Sequence, residues 1–341
     1  MITENKNKKN SERMKIVGSL VLFVVLLVSG FFYIGNTFLG LGNTNTMAAT
    51  ENEEKQNSKA ETTNKGVDES NDIINIALFG IDTRANDYDG SRADTIMIVS
   101  LNTANKKMKI TSIMRDTYVS IPGETYDKIN HAFAFGGPEL TIKTINENFD
   151  MNIKDYITLN FSAMEQIVDA VGGVDIDVKD YEIEYINSGS SAKVTAVGVQ
   201  TLNGQQALAY SRIRYGGNGD FERTDRQRTV LQNIINKGLK NISLPQALAL
   251  IETLSPYIET SLDKGEVASL ATSVFVSGIS DIKETRLPLD DKSKGGIWDG
   301  VYYLKPKTLS DNVSYLHDFI YEQSGYVPSS TIERIDEGIK F

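Results

Sequence analysis

"IINIALFG", residues 73–80, is a run of β-branched, aliphatic and aromatic residues closed by a glycine, which is the pattern of a strand. "TIMIVSLN" (95–102) and "KMKITSIM" (107–114) repeat that pattern, and "TANKK" between them suits a tight turn. "GGPELTIKTINENF" (136–149) then opens on Gly-Gly-Pro and sets Leu140, Ile142, Ile145 and Phe149 at helical spacing. Further strands are expected near 156–160 and in "GGVDIDV" (172–178), with helices over 162–171, 203–210, 222–240, 244–254, 265–277 and 309–323. Strands and helices intermix throughout. The expected fold is therefore α/β: a single domain over 72–341 with a central mixed β-sheet flanked by helices on both faces.

The chain has 341 residues, 40% of them hydrophobic, enough for a sizeable core. It contains no cysteine, which excludes a disulfide framework, cysteine-rich metal sites and thiolate catalysis. With only His131 and His317 present, neither a Ser-His-Asp triad nor a poly-histidine zinc site is expected, so carboxylates would have to bind any metal. The net charge of −10 argues against general affinity for nucleic acid.

Residues 1–15 carry Lys6, Lys8, Lys9, Arg13 and Lys15, and no charge follows from Ile16 to Thr50. Within that gap "IVGSLVLFVVLLVSGFFYI" (16–34) is long enough to cross a hydrocarbon core of about 30 Å. A basic flank before it and "ENEE" (51–54) after it predict a cytoplasmic N-terminus at 1–15, a membrane-spanning signal-anchor at 16–36 and an extracellular remainder. A cleaved signal peptide is the alternative, with "MAAT" (47–50) supplying small residues, but the apolar run exceeds the usual h-region of about 7–15 residues. Residues 43–70 hold no aromatic and almost nothing apolar. Such a segment cannot offset its ordering entropy, so 37–71 reads as a flexible tether.

Charged motifs cluster at the expected strand ends. "GIDTR" (80–84) follows the first strand and "SRADT" (91–95) opens the second, so Asp82 and Asp94 lie on neighbouring ends beside Arg84 and Arg92. "SIMRDTYVSIPG" (112–123) adds Arg115 and Asp116 at a third. Short carboxylates so placed suit Mg²⁺, which takes one or two protein oxygens and leaves the rest to water and phosphate. The plain alternative at each motif is an Asp–Arg ion pair. Beyond the strand ends of an open α/β sheet is also where ligands bind.

Five of the 11 arginines fall between Arg212 and Arg228, although lysines number 24. Mutual repulsion makes such a cluster costly unless carboxylates or a bound anion offset it. In a helix over 222–240 the apolar stripe Leu231, Ile234, Ile235 and Leu239 continues toward the N-terminus through Gln227 and Thr224. Arg223 and Gln227 would then look inward at the positive helix end, with Arg226 pointing away. Arg212 and Arg214 are expected to alternate on an extended strand and so face one side. The favoured anion is a diphosphate, which the planar guanidinium fork grips bidentately. A salt-bridge network with Asp220, Glu222 and Asp225 is the structural alternative. His131 reads as a packed or hydrogen-bonded side chain, and Asp175 and Asp177 as a solvated strand face.

Together "GIDTR", "SRADTIM", "SIMRDTYVSIPG", "KINHAFAFGG", "VGGVDIDV" and "LNGQQALAYSRIRY…GDFERTDRQRTVL" resemble the LytR-CpsA-Psr family, in the family's order over roughly 72–240. The resemblance implies a phosphotransferase outside the membrane of a Gram-positive bacterium. It would move an anionic glycopolymer (teichoic acid, capsule or a related wall polysaccharide) from a polyprenyl diphosphate carrier to peptidoglycan. It implies Asp82 and Asp94 as Mg²⁺ ligands, with Mn²⁺ as a substitute. It also implies Arg92, Arg115, Arg212, Arg214, Arg223 and Gln227 as diphosphate contacts, a set that Arg84 joins as the neighbour of Asp82. Arg92, Arg115 and Arg223 take catalytic roles, and Asp220 is the candidate base. A polyprenyl-diphosphate-glycan pyrophosphatase and a non-catalytic polyprenyl-phosphate-binding regulator remain as alternatives. Met114 stands where the family's strand usually has proline, which implies a change of local stiffness without a change of chemistry.

Overall fold

The computed structural model describes residues 73–339, except 84–89, 215–218, 242–245, 247–248, 251–252, 264, 267–268, 271–272, 274–278 and 280. The expected cytoplasmic segment, membrane span and tether lie outside the described residues, as do Arg84 and much of the expected helices 244–254 and 265–277. Among the described residues no helix is long and apolar enough to cross a membrane.

In chain order the elements are β1 (Ile73–Ile81), β2 (Ala93–Asn102), β3 (Lys107–Ile113), β4 (Tyr118–Ser120), β5 (Tyr126–Lys128), α1 (Ile129–Phe149), β6 (Asp155–Leu159) and α2 (Phe161–Ala170). They continue as β7 (Val174–Val178), α3 (Asp180–Ser188), β8 (Gly198–Leu202), α4 (Gly204–Ser211), α5 (Asp220–Asn241), β9 (Ile258–Thr260) and β10 (Asp281–Leu287). The last are β11 (Ser293–Trp298), β12 (Val301–Pro306), α6 (Leu309–Tyr321) and α7 (Ser330–Ile339).

Six strands form one mixed sheet in the order β10-β3-β2-β1-β6-β9. β1 and β6 are parallel, as are β3 and β10, and the other pairs are antiparallel. Both faces are covered, which is why the inner strands read as continuous apolar runs. Ile76 and Leu78 of β1 join one core with residues of α2, α4 and α5, while Ala77, Phe79 and Ile81 join another with residues of α1, α6 and α7. This is the α/β domain with helices on both faces that the sequence predicts.

Pairing directions bring the C-terminal ends of β1, β3, β6 and β10 and the N-terminal end of β2 to one edge of the sheet. At that edge Gly80 pairs with Thr95 but Ile81 pairs with Ala93, leaving Asp94 as the extra residue of a bulge. A bulge re-aims one side chain and sharpens the local twist. Gly80 is required there, because a Cβ would come within 2.9 Å of the Thr95 Cβ.

Some expectations need correction. The helix expected over 136–149 forms, and a further helical segment from Ile129 precedes it: Gly136 and Gly137 leave helical dihedrals before Pro138, so the two segments meet there at a kink and the Gly-Gly-Pro signal does mark a start. Arg212 and Arg214 are not on a strand. Arg212 caps α4 in helical geometry, and alternation survives only because Ile213 is buried between two exposed arginines. The strand expected over 172–178 forms as β7, which pairs with β8 outside the main sheet. Its Asp175 and Asp177 lie on the exposed face, as read from the sequence.

Candidate active site

A cavity of about 570 Å³ runs between the sheet and helices α2, α4 and α5. Leu78, Met97, Ile157, Met164, Leu208 and Ile234 are among its apolar lining, and the charged Asp82, Asp94, Arg212, Arg214 and Arg223 form a rim with the neutral amide of Gln227. The cavity is thus an apolar channel with an ionic mouth, a shape suited to an amphiphile with a long hydrocarbon tail and an anionic head.

Local structure places each rim residue. Asn160 caps α2 by accepting from the Ala163 N–H at 3.0 Å, and the Phe161 N–H donates to the Thr83 carbonyl at 3.0 Å, tying α2 to the end of β1. The Phe161 ring then lies 4.6 Å beneath the Arg212 guanidinium, which also pairs with Asp82 at 3.1 Å. Asn203 and Gln206 form a capping box at the start of α4. Gly204 lets α4 approach α2, since a Cβ would meet the Glu165 carbonyl oxygen at 2.2 Å. That close approach sets where α4 ends and where Arg212 leaves it.

Asp94, turned out by the bulge, meets three guanidinium groups. Arg115 Nη1 donates to its carboxylate at 2.5 Å, Arg214 approaches to 3.7 Å and Arg223 to 3.9 Å. Arg223 also donates to the Asp94 backbone carbonyl at 3.2 Å. Asp220, in the first turn of α5, pairs with Arg223 at 3.0 Å and with Arg115 at 3.4 Å. Arg115 and Asp220 do not line the cavity. They form a second layer behind the Asp94–Arg223 rim.

Burial raises the Asp220 carboxyl above its ordinary value, against the opposing pull of Arg223 and Arg115. Burial likewise lowers Arg223, only partly countered by Asp220. For Arg115, burial works against the charge, but Asp220, Asp94 and Asp116 outweigh it and raise the group. Among the described residues Arg223 Nε and Arg115 Nε are buried without a hydrogen-bond partner. Such groups are costly to leave without a partner; Arg115 Nε faces the Asp220 carboxylate at 3.4 Å, whereas Arg223 belongs to the cavity lining, where a guanidinium can receive an anion's oxygens.

The arginine cluster divides into two groups. Arg212, Arg214 and Arg223 belong to the rim. Arg226 does point away from the rim, but into protein. It is 5% exposed, pairs with Glu182 and Glu222 at 3.0 Å each, and donates to the Ile213 carbonyl at 3.1 Å. Arg228 pairs with Asp225 and lies 3.7 Å from Glu284. The ionic network considered as the alternative therefore holds for these two arginines and for the Arg223–Asp220 pair. Arg92 is exposed ahead of β2 and does not line the cavity. His131 pairs with Asp127 at 2.6 Å, a local contact from the first turn of α1 back to β5.

Met114 supplies what a proline could not: its N–H donates to the Leu287 carbonyl at 2.8 Å, joining β3 to β10. Its sulfur accepts from the Thr224 hydroxyl at 3.3 Å, which seats α5 against the strand end bearing Arg115.

The donor set for a divalent cation is Asp82 and Asp94 on one mouth. Among the described residues no group of three or more His, Cys, Asp or Glu side chains forms a metal cage. Two carboxylates facing an anion pocket fit Mg²⁺, which takes its remaining ligands from water and phosphate.

The LytR_cpsA_psr family matches residues 37–315 of this chain. A polyisoprenyl-teichoic acid–peptidoglycan teichoic acid transferase, TagU, of Oceanobacillus iheyensis is 32% identical over 314 residues, covering 89% of this chain and 94% of that protein. A solved structure described as TagT bound to LI-WTA superposes with a TM-score of 0.61 at 31% identity, covering 76% of this chain and 95% of that one. Another, a LytR-CPS2A-psr family protein YwtF (TagT) with bound octaprenyl pyrophosphate lipid, gives a TM-score of 0.57 at 30% identity over 76% and 95%. With the fold, the motifs and the cavity in agreement, this chain belongs to the LytR_cpsA_psr family.

Proposed function

We propose that the chain transfers an anionic wall glycopolymer from a polyprenyl diphosphate carrier to peptidoglycan, leaving a phosphodiester. The observation that carries this reading is the apolar channel ending in an arginine–aspartate rim. It accommodates a polyprenyl tail and meets the diphosphate where the tail emerges. The relatives named for teichoic acid transfer, and the related structure with octaprenyl pyrophosphate, support the same class of donor.

In the proposed reaction a muramic-acid hydroxyl attacks the sugar-side phosphorus and polyprenyl phosphate leaves toward the channel. Arg212 and Arg214, exposed at the mouth, orient the diphosphate. Arg223 and Arg115 supply fixed charge where the leaving phosphate becomes more negative, the effect that makes a single well-placed arginine worth about 10³–10⁵ in other phosphoryl transfers. Asp220, whose raised pKa favours proton uptake, accepts the hydroxyl proton. Asp82 and Asp94 would hold Mg²⁺, which supplies further charge neutralisation when bound. In this reading residues 16–36 anchor the chain in the membrane with 1–15 inside and the catalytic domain outside.

The test uses the full chain in detergent with Mg²⁺, a short-chain polyprenyl-diphosphate glycan and a peptidoglycan oligomer, with products followed by mass spectrometry. A glycan-phosphate adduct on the acceptor is expected. Free glycan phosphate alone would make the protein a pyrophosphatase, and bound, unreacted lipid beside a competent acceptor would make it a lipid-binding regulator.

A further inference from the structure

The β11–β12 hairpin carries an apolar surface that neither the channel nor the rim uses. Ile297 is 73% exposed and Tyr302 42%. Ile297 and Tyr302 are directly cross-strand partners and so project from the same face of the hairpin. On that face Gly295 leaves bare backbone beneath Tyr302, since a Cβ there would lie 2.4 Å from the tyrosine hydroxyl. The result is a flat aromatic shelf flanked by an aliphatic side chain.

The shelf is fixed to the active site. The Leu304 N–H donates to the Asp116 carbonyl at 2.9 Å, and Leu304 also bridges to Thr117. Asp116 follows Arg115 directly. Burial, then the charges of Asp116 and Asp220, hold the Tyr302 hydroxyl above its ordinary value. From the channel outward the order is Asp94 and Arg223, then Arg115 and Asp220, then Asp116 and the shelf.

That order has a chemical consequence. Displacement at phosphorus places the attacking and leaving oxygens roughly in line. With the leaving polyprenyl phosphate held toward the channel, the attacking hydroxyl must enter from the far side, past Asp220. A pyranose has one face of C–H groups that packs on an aromatic ring while its hydroxyls stay in water, and tyrosine combines an apolar ring with a polar tip. We propose that the Ile297–Tyr302 shelf is the acceptor subsite, which binds the amino-sugar backbone of a glycan strand and presents its hydroxyl to Asp220. This inference rests on the transferase reading. One O–P bond forms to the acceptor oxygen, the bridging P–O bond breaks, and the acceptor proton passes to the Asp220 carboxylate.

The test measures binding of a defined tetrasaccharide of alternating N-acetylglucosamine and N-acetylmuramic acid to the full chain in detergent, by saturation-transfer NMR, alongside binding of a short polyprenyl diphosphate. Tyr302→Ala is expected to weaken tetrasaccharide binding roughly three- to tenfold, the range that loss of one aromatic contact produces, while lipid binding is unchanged. Ile297→Ser, at the most exposed position of the shelf, guards against a folding defect and is expected to weaken tetrasaccharide binding in the same direction. Unchanged tetrasaccharide binding in both variants would overturn the inference. So would equal losses for a free stem peptide, which would make the shelf a peptide site. If the wild type binds the tetrasaccharide through Tyr302 but transfers nothing to it, the shelf stands and the transferase reading fails.

Discussion

Replacing Glu182 with alanine tests how the rim is held in place. Glu182 is 3% exposed and Arg226 5%, and their 3.0 Å contact joins α3 to α5. Removing one partner of a buried pair strands the other charge at a cost of about 3–5 kcal/mol. Here Arg226 keeps Glu222 at 3.0 Å, the Tyr181 hydroxyl at 2.9 Å and the Ile213 carbonyl at 3.1 Å. Against that, Glu182 also accepts from the Lys179 N–H at 2.9 Å, so the cap of α3 is lost as well. The lower end, about 3 kcal/mol, is expected, or a fall in Tm of roughly 6–12 °C for a domain of this size. Glu182→Gln keeps one acceptor oxygen where the carboxylate offers two, so it can serve Arg226 or the Lys179 N–H but not both, and should lose about half as much. The assay is thermal unfolding of the full chain in detergent, followed by far-UV circular dichroism. Because Arg226 grips the carbonyl of Ile213, between Arg212 and Arg214, the alanine variant should also need more donor lipid to reach half-maximal transfer. A Tm within 1 °C of wild type, or equal losses for alanine and glutamine, would refute the idea that a buried charge pair fixes this corner.

Other consequences follow from the same geometry. Ile234→Trp, which places a larger side chain in the channel lining, should weaken binding of a polyprenyl diphosphate at least tenfold while leaving a soluble diphosphate sugar unaffected, as read by calorimetry. Asp220 must be ionised to take a proton, and its pKa is raised above 3.8. Transfer should therefore fall as pH drops through that raised value, and Asp220→Asn should remove this acid limb from the pH–rate profile. Met114→Pro deletes the N–H donor to Leu287, so a destabilisation of about 1–3 kcal/mol in denaturant unfolding is expected.

The central strands and the charged strand ends were legible in the sequence because burial on both faces imposes long apolar runs and because Asp82, Asp94 and Arg115 punctuate them. The role of Gly80 was less plain. As the close of a strand it was visible, but only the register shift against Ala93 shows that it makes room for a bulge turning Asp94 outward. Strand β10, "DIKETRL", gives no apolar run in the sequence because it sits at a sheet edge and buries fully only Leu287. Helix α3 was hidden for a related reason, since one of its buried residues is Glu182 and its partner Arg226 lies 44 residues away. Arg212 and Arg214 carry a strand-like pattern in the sequence because alternate exposure looks alike in a strand and in a capped helix end. No periodicity within 241–341 pointed to the β11–β12 hairpin, where paired glycines and aromatics depend on cross-strand contact.

The arginines divide into two groups: Arg212, Arg214 and Arg223 at the rim are proposed to hold diphosphate, whereas Arg226 and Arg228 of α5 are tied up in ion pairs within the protein. Measuring glycan transfer to a peptidoglycan oligomer with Arg214→Ala and Arg228→Ala tests that division directly. Arg214 has 49% of its side chain exposed and, among the described residues, one ion pair, a long one to Asp94, so its loss should leave folding intact. A fall in transfer of roughly 10²-fold for Arg214→Ala, with Arg228→Ala within a few-fold of wild type once folding is matched, is the predicted result. Equal rates for Arg214→Ala and wild type would contradict the claim that the rim binds the reacting diphosphate.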